Sequence, residues 1–346
     1  MRFENEVYYD FADVLIKPKR STLTSRKDVD VTRTFKMKHS GATLNVTPLI
    51  AANMDTVGTQ KLALEFERLG LMTALHKHYT IDELVYFYFS NNIQNTWYTI
   101  GVVEKDLEKY NNVQRQLFNL GGSAKQINKV CIDVPNMYSE YCVDFVKRFR
   151  ETNPEVTLLA GNVATGEQTE QLILSGVDIV KLGIGPGSAC TTRKMTGVGV
   201  PQLSCVIECA DSAHGLGGQV CSDGGITCPG DLSKAFGAGA DFVMMGGVFA
   251  GHAENSTPDA DGMADFYGMS STIANEKYAG GLKSYRASEG RELKIPYKGP
   301  VADTVQEYLG GLRSMMTYIG ARKLKDVSKC TTFIRVNRQL NTSLVK

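Results

Sequence analysis

The run from Gly183 to Gln202 reads G-I-G-P-G-S-A-C-T-T-R-K-M-T-G-V-G-V-P-Q and sets a single cysteine, Cys190, among small and polar residues. Glycines at 183, 185 and 187 let the backbone take positive φ and approach a ligand or ion closely, and Pro186 stiffens the turn between them. A thiol presented in this way is placed for nucleophilic attack, with the thiolate as its reactive form. The plain alternative is a buried cysteine in a tight turn. Ser188, Thr191, Thr192 and Arg193 argue against it, because a core-filling turn would be apolar at those positions.

Two further glycine pairs, in Asp223-Gly224-Gly225 and Gly246-Gly247, offer backbone N–H groups without side-chain obstruction. The G-I-G-P-G run is no dinucleotide fingerprint, since it lacks the third glycine at the right step and leads into another loop instead of a helix. A nicotinamide cofactor would therefore bind this chain without a Rossmann unit.

These residues need a scaffold, and the apolar pattern supplies one. Short apolar runs at Leu49–Asn53, Leu71–Leu75, Tyr98–Val102, Val130–Val134, Thr157–Gly161, Asp178–Leu182, Gln219–Asp223 and Asp241–Met245 read as eight strands. Between them lie amphipathic segments at Gln60–Leu69, Ile81–Phe89, Glu104–Leu120, Tyr138–Arg150, Glu167–Leu174, Leu203–Ala213 and Pro229–Phe236. Eight parallel β-α units predict an α/β fold of the TIM (β/α)8 barrel type, and polar or glycine residues at nearly every strand end would converge on one mouth. Barrels of this type often bind phosphate after strands seven and eight, where the two glycine pairs fall.

One catalytic domain is expected over 1–346. Residues 1–45 form an N-terminal arm, 251–300 a lid inserted after strand eight, and 322–346 a basic C-terminal tail. The lid holds F-Y-G-M-S-S and Y-R-A-S-E-G and is expected to be mobile.

The 346 residues carry 38 Lys+Arg against 37 Asp+Glu, a balance that points to no nucleic-acid partner. Eight cysteines without a C-x-x-C argue for reduced thiols rather than zinc or disulfides. His76 and His78 lack the further ligands that a zinc site needs. No signal core and no membrane-length apolar run is visible, so a cytoplasmic protein is expected.

The segments G-P-G-S-A-C-T-T-R with T-G-V-G-V-P-Q, A-N-M-D-T-V-G, A-G-N-V-A-T-G, S-D-G-G-I, F-Y-G-M-S-S, Y-R-A-S-E-G and L-G-G-L-R-S together resemble the IMP dehydrogenase/GMP reductase family over nearly the whole chain. H-K-H-Y, D-V-x-N-x-Y-S-E, F-Y-G-M-S-S and the lack of a regulatory insertion between strands two and three follow the reductase pattern. Pro135 and Met137 depart from the usual small residues of the aspartate loop, Val200 follows the dehydrogenase form, and Glu254–Gly262 is short and acidic.

The resemblance implies NADPH-dependent conversion of GMP to IMP and ammonia in purine salvage. It implies attack by Cys190 on purine C2, with Thr192 and Glu289 supplying the proton to departing ammonia. Because Glu289 lies about a hundred residues from Thr192, lid closure is expected to bring the two together. Arg193 or backbone N–H groups would lower the thiol pKa. GMP would meet Ser188, Asp223, Gly224, Gly225, Gly246, Gly247, Gly268, Met269, Ser270, Arg286 and Gly290. The cofactor would meet Lys77, Asp133, Val134, Pro135, Ile184, Gly185, Met269, Tyr285, Arg286, Ser314, Met315, Met316 and Thr317, with Ser25 and Arg26 from a neighbouring subunit of a tetramer. A potassium ion would be held at Gly185, Gly187 and Cys190, with Arg193 nearby. The alternatives are an IMP dehydrogenase using NAD and a non-catalytic nucleotide-binding barrel.

Overall fold

The computed structural model describes residues 1, 3–122 and 126–337. Eight parallel strands close a barrel: β1 (Leu49–Ala51), β2 (Met72–Ala74), β3 (Thr96–Ile100), β4 (Lys129–Asp133), β5 (Thr157–Val163), β6 (Ile179–Leu182), β7 (Gln219–Asp223) and β8 (Phe242–Met245). Each of the eight expected strands is present, with ends shifted by two residues or fewer. They are buried because helices cover the barrel outside and side chains fill it inside.

The helices follow from local chemistry. In α1 (Gln60–Leu69) the Thr59 hydroxyl accepts the Leu62 N–H at 3.1 Å, and Gly70 closes the helix at φ +70°. A Thr80/Glu83 capping box starts α2 (Ile81–Ser90). The ring continues with α3 (Glu104–Gly121), α4 (Glu140–Thr152), α5 (Gly166–Leu174), α6 (Gln202–Gly215), α7 (Pro229–Gly237) and α8 (Val301–Ile319). The last of these is absent from the helices expected from the sequence, and it carries the pair Gly310-Gly311 in its interior. In the fold, a Cβ on Gly311 would stand 2.5 Å from Pro229 Cβ, so glycine lets α8 lie close on α7.

The arm and the tail pair with each other. Strand Val14–Ile16 pairs antiparallel with Phe333–Arg335, and Leu324 and Val327 are buried; residues 338–346 of the expected tail lie outside the described residues. Within the arm, a hairpin of Arg33–Lys36 and Thr43–Val46 plugs the amino end of the barrel. Its Phe35, Met37, Leu44 and Val46 share one buried cluster with Ile50, Met72, Trp97, Leu159, Ile179 and Phe242 of the barrel interior. Phe35 stacks on Phe242 at 4.3 Å between ring centroids.

The insertion after β8 is a built structure. Met263–Tyr267 pairs with Glu292–Pro296, helix Thr272–Ala279 lies between them, and Ala264, Phe266 and Tyr267 are buried. Glu254, expected within a short mobile segment, instead ties the insertion to α8 by accepting the Val301 N–H at 3.1 Å, while its carbonyl accepts the Thr59 hydroxyl at 2.7 Å.

Candidate active site

Cys190 lies in the loop after β6, half-buried at the carboxyl end of the barrel. Gly183 and Gly185 take φ of +138° and +86°, conformations that favour glycine, and they turn the chain over the mouth. The Cys190 thiol donates to Thr192 Oγ1 at 3.2 Å, and the Thr192 hydroxyl donates to Glu289 Oε2 at 2.6 Å. The three groups form one line of proton donors and acceptors.

The two segments that carry them are joined by backbone pairing. The segment around Cys190 pairs with the segment around Glu289 as a short antiparallel bridge between Cys190 and Gly290. The Thr191 N–H donates to the Glu289 carbonyl at 2.8 Å, and the Arg291 N–H to the Ala189 carbonyl at 2.8 Å. Gly268 and Gly290 make the close approach possible, since a Cβ on Gly268 would sit 2.8 Å from the Ala189 carbonyl and 2.9 Å from Gly290 Cα. This backbone ladder brings Thr192 and Glu289, about a hundred residues apart in the chain, into contact.

Of the two groups expected to act on the thiol, Arg193 is engaged elsewhere and a backbone N–H lies at the sulfur. The Arg193 guanidinium pairs with Asp10 at 2.7 Å and donates to the Val200 carbonyl at 2.7 Å. Besides the Thr192 hydroxyl, the Thr192 backbone N–H lies within reach of the Cys190 sulfur, at 3.5 Å. Arg193 instead buttresses the glycine loop, its Cγ occupying the space where a Cβ of Gly185 would lie, 2.6 Å away. Asp10, which fixes the arginine and accepts the Gln202 N–H at 2.6 Å, was not picked out from the sequence.

The two glycine pairs lie where the sequence placed them, after β7 and β8. Gly224 and Gly225 have φ of +89° and +82°, and a Cβ on Gly224 would press on the Gly187 N–H at 3.1 Å. A Cβ on Gly247 would come within 2.7 Å of the exposed Ser188 hydroxyl. Ser188, Gly224, Gly225, Gly246 and Gly247 thus share one corner of the mouth, and Met269 and Ser270 border Glu289, whose N–H donates to the Ser270 carbonyl at 3.3 Å.

Asp133 and Asp223 stand at the ends of β4 and β7, with Lys181 of β6 between them. Its ammonium is 2.7 Å from Asp133 Oδ1 and 2.8 Å from Asp223 Oδ2, and it also donates to Asn162 Oδ1. Burial alone would lower the Lys181 pKa; the two carboxylates overcome this and push it up. Burial would likewise raise Asp133, but Lys181 and a hydrogen bond from Asn53 keep it below the ordinary carboxylate value. The only hint of Lys181 in the sequence is a lysine inside the apolar run D-I-V-K-L.

Lys77 is exposed at the rim, 3.7 Å from Asp106. Val134 borders Asp133, Pro135 is exposed at the loop tip, and Ile184 packs on the core beside Gly185. Met137, the other departure in this loop, is wholly buried. Tyr285 and Arg286 are exposed in the insertion, the guanidinium 5.9 Å from the tyrosine ring centroid.

Ser25, Arg26, Ser314, Met315, Met316 and Thr317 lie elsewhere. The helical turn Arg26–Asp28 packs against α8, and Ser314–Thr317 occupy its carboxyl end, where Lys19 N–H donates to the Tyr318 carbonyl at 3.0 Å. Because α8 starts beside Glu254 at the mouth, Ser314 is about 20 Å further along it at 1.5 Å per residue, toward the plugged end. Met315 and Met316 are core side chains. The structure brings these six residues to one edge of the molecule and does not bring them to Cys190.

A feature missed in the sequence ties the insertion to the barrel. Asp55, after β1, accepts through Oδ2 from Tyr267 Oη at 2.5 Å, Tyr278 Oη at 2.7 Å and Lys277 Nζ at 2.9 Å. His78 stacks on Tyr278 at 3.5 Å and His76 on Tyr79 at 4.0 Å between ring centroids. Burial is the main cause that pushes both histidines down to about 4. The signal for Asp55 was there in A-N-M-D-T-V-G, but its partners lie more than two hundred residues away.

A barrel with a cysteine loop after β6 and glycine pairs after β7 and β8 defines a class, and comparison with known families agrees. Residues 8–87 and 102–342 match the model of the IMP dehydrogenase / GMP reductase domain, and the chain belongs to that family. It is 53% identical to a GMP reductase of Klebsiella pneumoniae, over 99% of this chain and 98% of the relative. It is 52% identical to human GMP reductase 2, over 98% and 97%. In fold it is similar to a crystal structure of a GMP reductase variant from Trypanosoma brucei in complex with guanosine 5′-monophosphate, with a TM-score of 0.83, 24% identity and 96% of both chains covered.

Proposed function

We propose that this chain is an NADPH-dependent GMP reductase that converts GMP to IMP and ammonia. The observation that carries the reading is the line Cys190–Thr192–Glu289, joined to near-full-length similarity to relatives named GMP reductase rather than IMP dehydrogenase.

The geometry supports a balanced proton path. When the Cys190 sulfur bonds to purine C2, its proton passes to Thr192 and the Thr192 proton to Glu289. The C2–N bond then breaks, and the same relay returns a proton to the leaving nitrogen as ammonia. NADPH, when bound, supplies the hydride that replaces sulfur at C2, and the thiolate leaves with the C–S electron pair. In this reading Asp223 accepts from ribose hydroxyls, while Ser188 and the Gly224-Gly225 and Gly246-Gly247 pairs take the phosphate, with Gly268, Met269, Ser270, Arg286 and Gly290 completing the GMP site.

Lys77, Asp133, Val134, Pro135, Ile184, Gly185, Met269, Tyr285 and Arg286 would hold the cofactor at the mouth. Ser25, Arg26 and Ser314–Thr317 would reach it from a neighbouring subunit of a tetramer, Met315 and Met316 by their backbone. The donors of the glycine loop are uncharged backbone carbonyls, Gly185, Gly187 and Cys190, a set that suits a monovalent ion such as potassium better than a divalent one. Among the described residues no helix is long and apolar enough to cross a membrane, and a cytoplasmic location fits the reading.

The test is product analysis. GMP with NADPH should yield IMP and ammonia, and Cys190→Ala should bind GMP without turnover. NAD reduction with IMP in its place would favour the dehydrogenase, and binding without turnover in the wild-type protein would favour a nucleotide-binding scaffold.

A further inference from the structure

Lys181 is a lysine whose side chain is 3% exposed in the interior of a barrel, and the chain makes room for it. A Cβ on Gly161 would stand 2.7 Å from Lys181 Cβ and 2.3 Å from its carbonyl oxygen, so no other residue fits opposite it. The β5–β6 register slips between Gly161 and Val163. Asn162, at that slip, donates from its amide to Asp223 Oδ2 at 3.0 Å and to the Gly183 carbonyl at 2.8 Å, while its oxygen accepts from Lys181. Burying an ammonium is costly unless it is paired and fully hydrogen-bonded, and here two carboxylates and an amide oxygen surround it.

We propose that Lys181 is a positioning residue that clamps Asp223 and Asp133 to one point, and so couples the purine-nucleotide site to the nicotinamide site. The inference rests on the reading above that Asp223 meets the ribose of GMP and Asp133 the cofactor. Both barrel contacts of Asp223 use Oδ2, which leaves Oδ1 for a ligand hydroxyl. Two carboxylates bonded to one ammonium are close neighbours, and without it their like charges would repel and favour protonation of one of them. The other titratable groups facing Lys181 are Cys131 and Cys221, whose thiols burial pushes up, and Lys77 acts on Asp133 from the rim.

The experiment measures the GMP Kd by calorimetry from pH 5.5 to 9, with and without NADP, in five proteins. These are wild type, Lys181→Met, Lys181→Arg, Asp223→Asn and the double variant Lys181→Met/Asp133→Asn, each checked by circular dichroism. Lys181→Met should weaken GMP about 30- to 100-fold at pH 7, the scale of one lost charged hydrogen bond. Its affinity should rise with pH through a titration that wild type lacks. Lys181→Arg should keep the flat profile, and the double variant, free of the like-charged pair, should regain most of the GMP affinity with a flat profile but lose the effect of NADP. The double variant also keeps the test open if Lys181→Met does not fold. A flat profile with wild-type affinity in Lys181→Met, or a double variant that binds GMP no better than Asp223→Asn, would overturn the proposal. Failure of wild type itself to bind GMP would instead overturn the functional reading on which it rests.

Discussion

The Thr192 hydroxyl donates to Glu289 Oε2 at 2.6 Å across 97 residues of sequence, and backbone pairing of the two segments supports the contact. Backbone pairing that fixes the geometry of such a relay spares the reaction the cost of orienting its groups. In the proposed reaction its proton work would be specific to the nitrogen leaving group, because hydride addition at C2 moves no proton to nitrogen. Glu289→Gln should therefore slow ammonia release by about 10²- to 10³-fold, within the range of general acid–base catalysis, and slow the hydride step far less. Single-turnover measurement of both steps decides it; equal slowing of the two would remove Glu289 from the relay.

The hairpin plug lies at the opposite end of the barrel from Cys190. Phe35 is 3% exposed and stacks on Phe242, so Phe35→Ala removes a ring from a filled interior and leaves a cavity. The expected loss is about 3–5 kcal/mol of unfolding free energy. Urea denaturation measures that loss, and the KM for GMP should stay within about twofold, well under one factor of ten per 1.4 kcal/mol. A large change in KM with unchanged stability would contradict the separation of plug and site.

The barrel was legible in the sequence because each strand is a short apolar run ended by a polar or glycine residue, and because helix signals such as Thr59 before Gln60–Leu69 and Pro229 at the start of α7 are local. Cys190 and its glycines were legible for the same reason. What escaped depends on partners far away in the chain. Asp10 is defined by Arg193, Asp55 by Tyr267 and Tyr278, and Lys181 by Asp133 and Asp223. A lone charge gives no sign of which distant group will neutralise it. Helix α8 was not among the expected helices, and its Gly311 is defined by close packing on Pro229, which is also distant in the chain.

His78, stacked on Tyr278, carries a pH dependence of stability. Burial and then Lys77 push it down from the ordinary 6.5 to about 4, and His76 behaves alike through burial. Between pH 6.5 and about 4 the unfolded chain binds protons that the folded chain does not, so this contribution is fully present above pH 6.5 and is lost on acidification through that window. His78→Phe keeps a ring on Tyr278 and removes one of the two titrating groups. Melting temperatures from pH 7.5 to 4.5 should fall less steeply in the variant. An unchanged slope would show that His78 does not titrate with unfolding.

Arg26 tests whether the cofactor site is shared between subunits. The turn carrying it packs on α8 near the edge that also holds Ser314–Thr317, a helix length away from the mouth that holds Cys190. A guanidinium pairs with two oxygens of a ribose phosphate but finds only hydroxyls on NADH. Arg26→Ala should raise the NADPH KM about tenfold, narrow the preference over NADH and leave the GMP KM unchanged. The decisive measurement mixes two defective proteins. In a hybrid of Arg26→Ala and Cys190→Ala subunits, a shared site would pair the intact Cys190 of one with the intact Arg26 of its neighbour, and a fraction of sites should regain the wild-type NADPH KM. A site built within one chain allows no such pairing, because every subunit then carries one defect. Hybrids that show only the kinetics of Arg26→Ala, scaled to the number of intact cysteines, would place the whole cofactor site within a single chain.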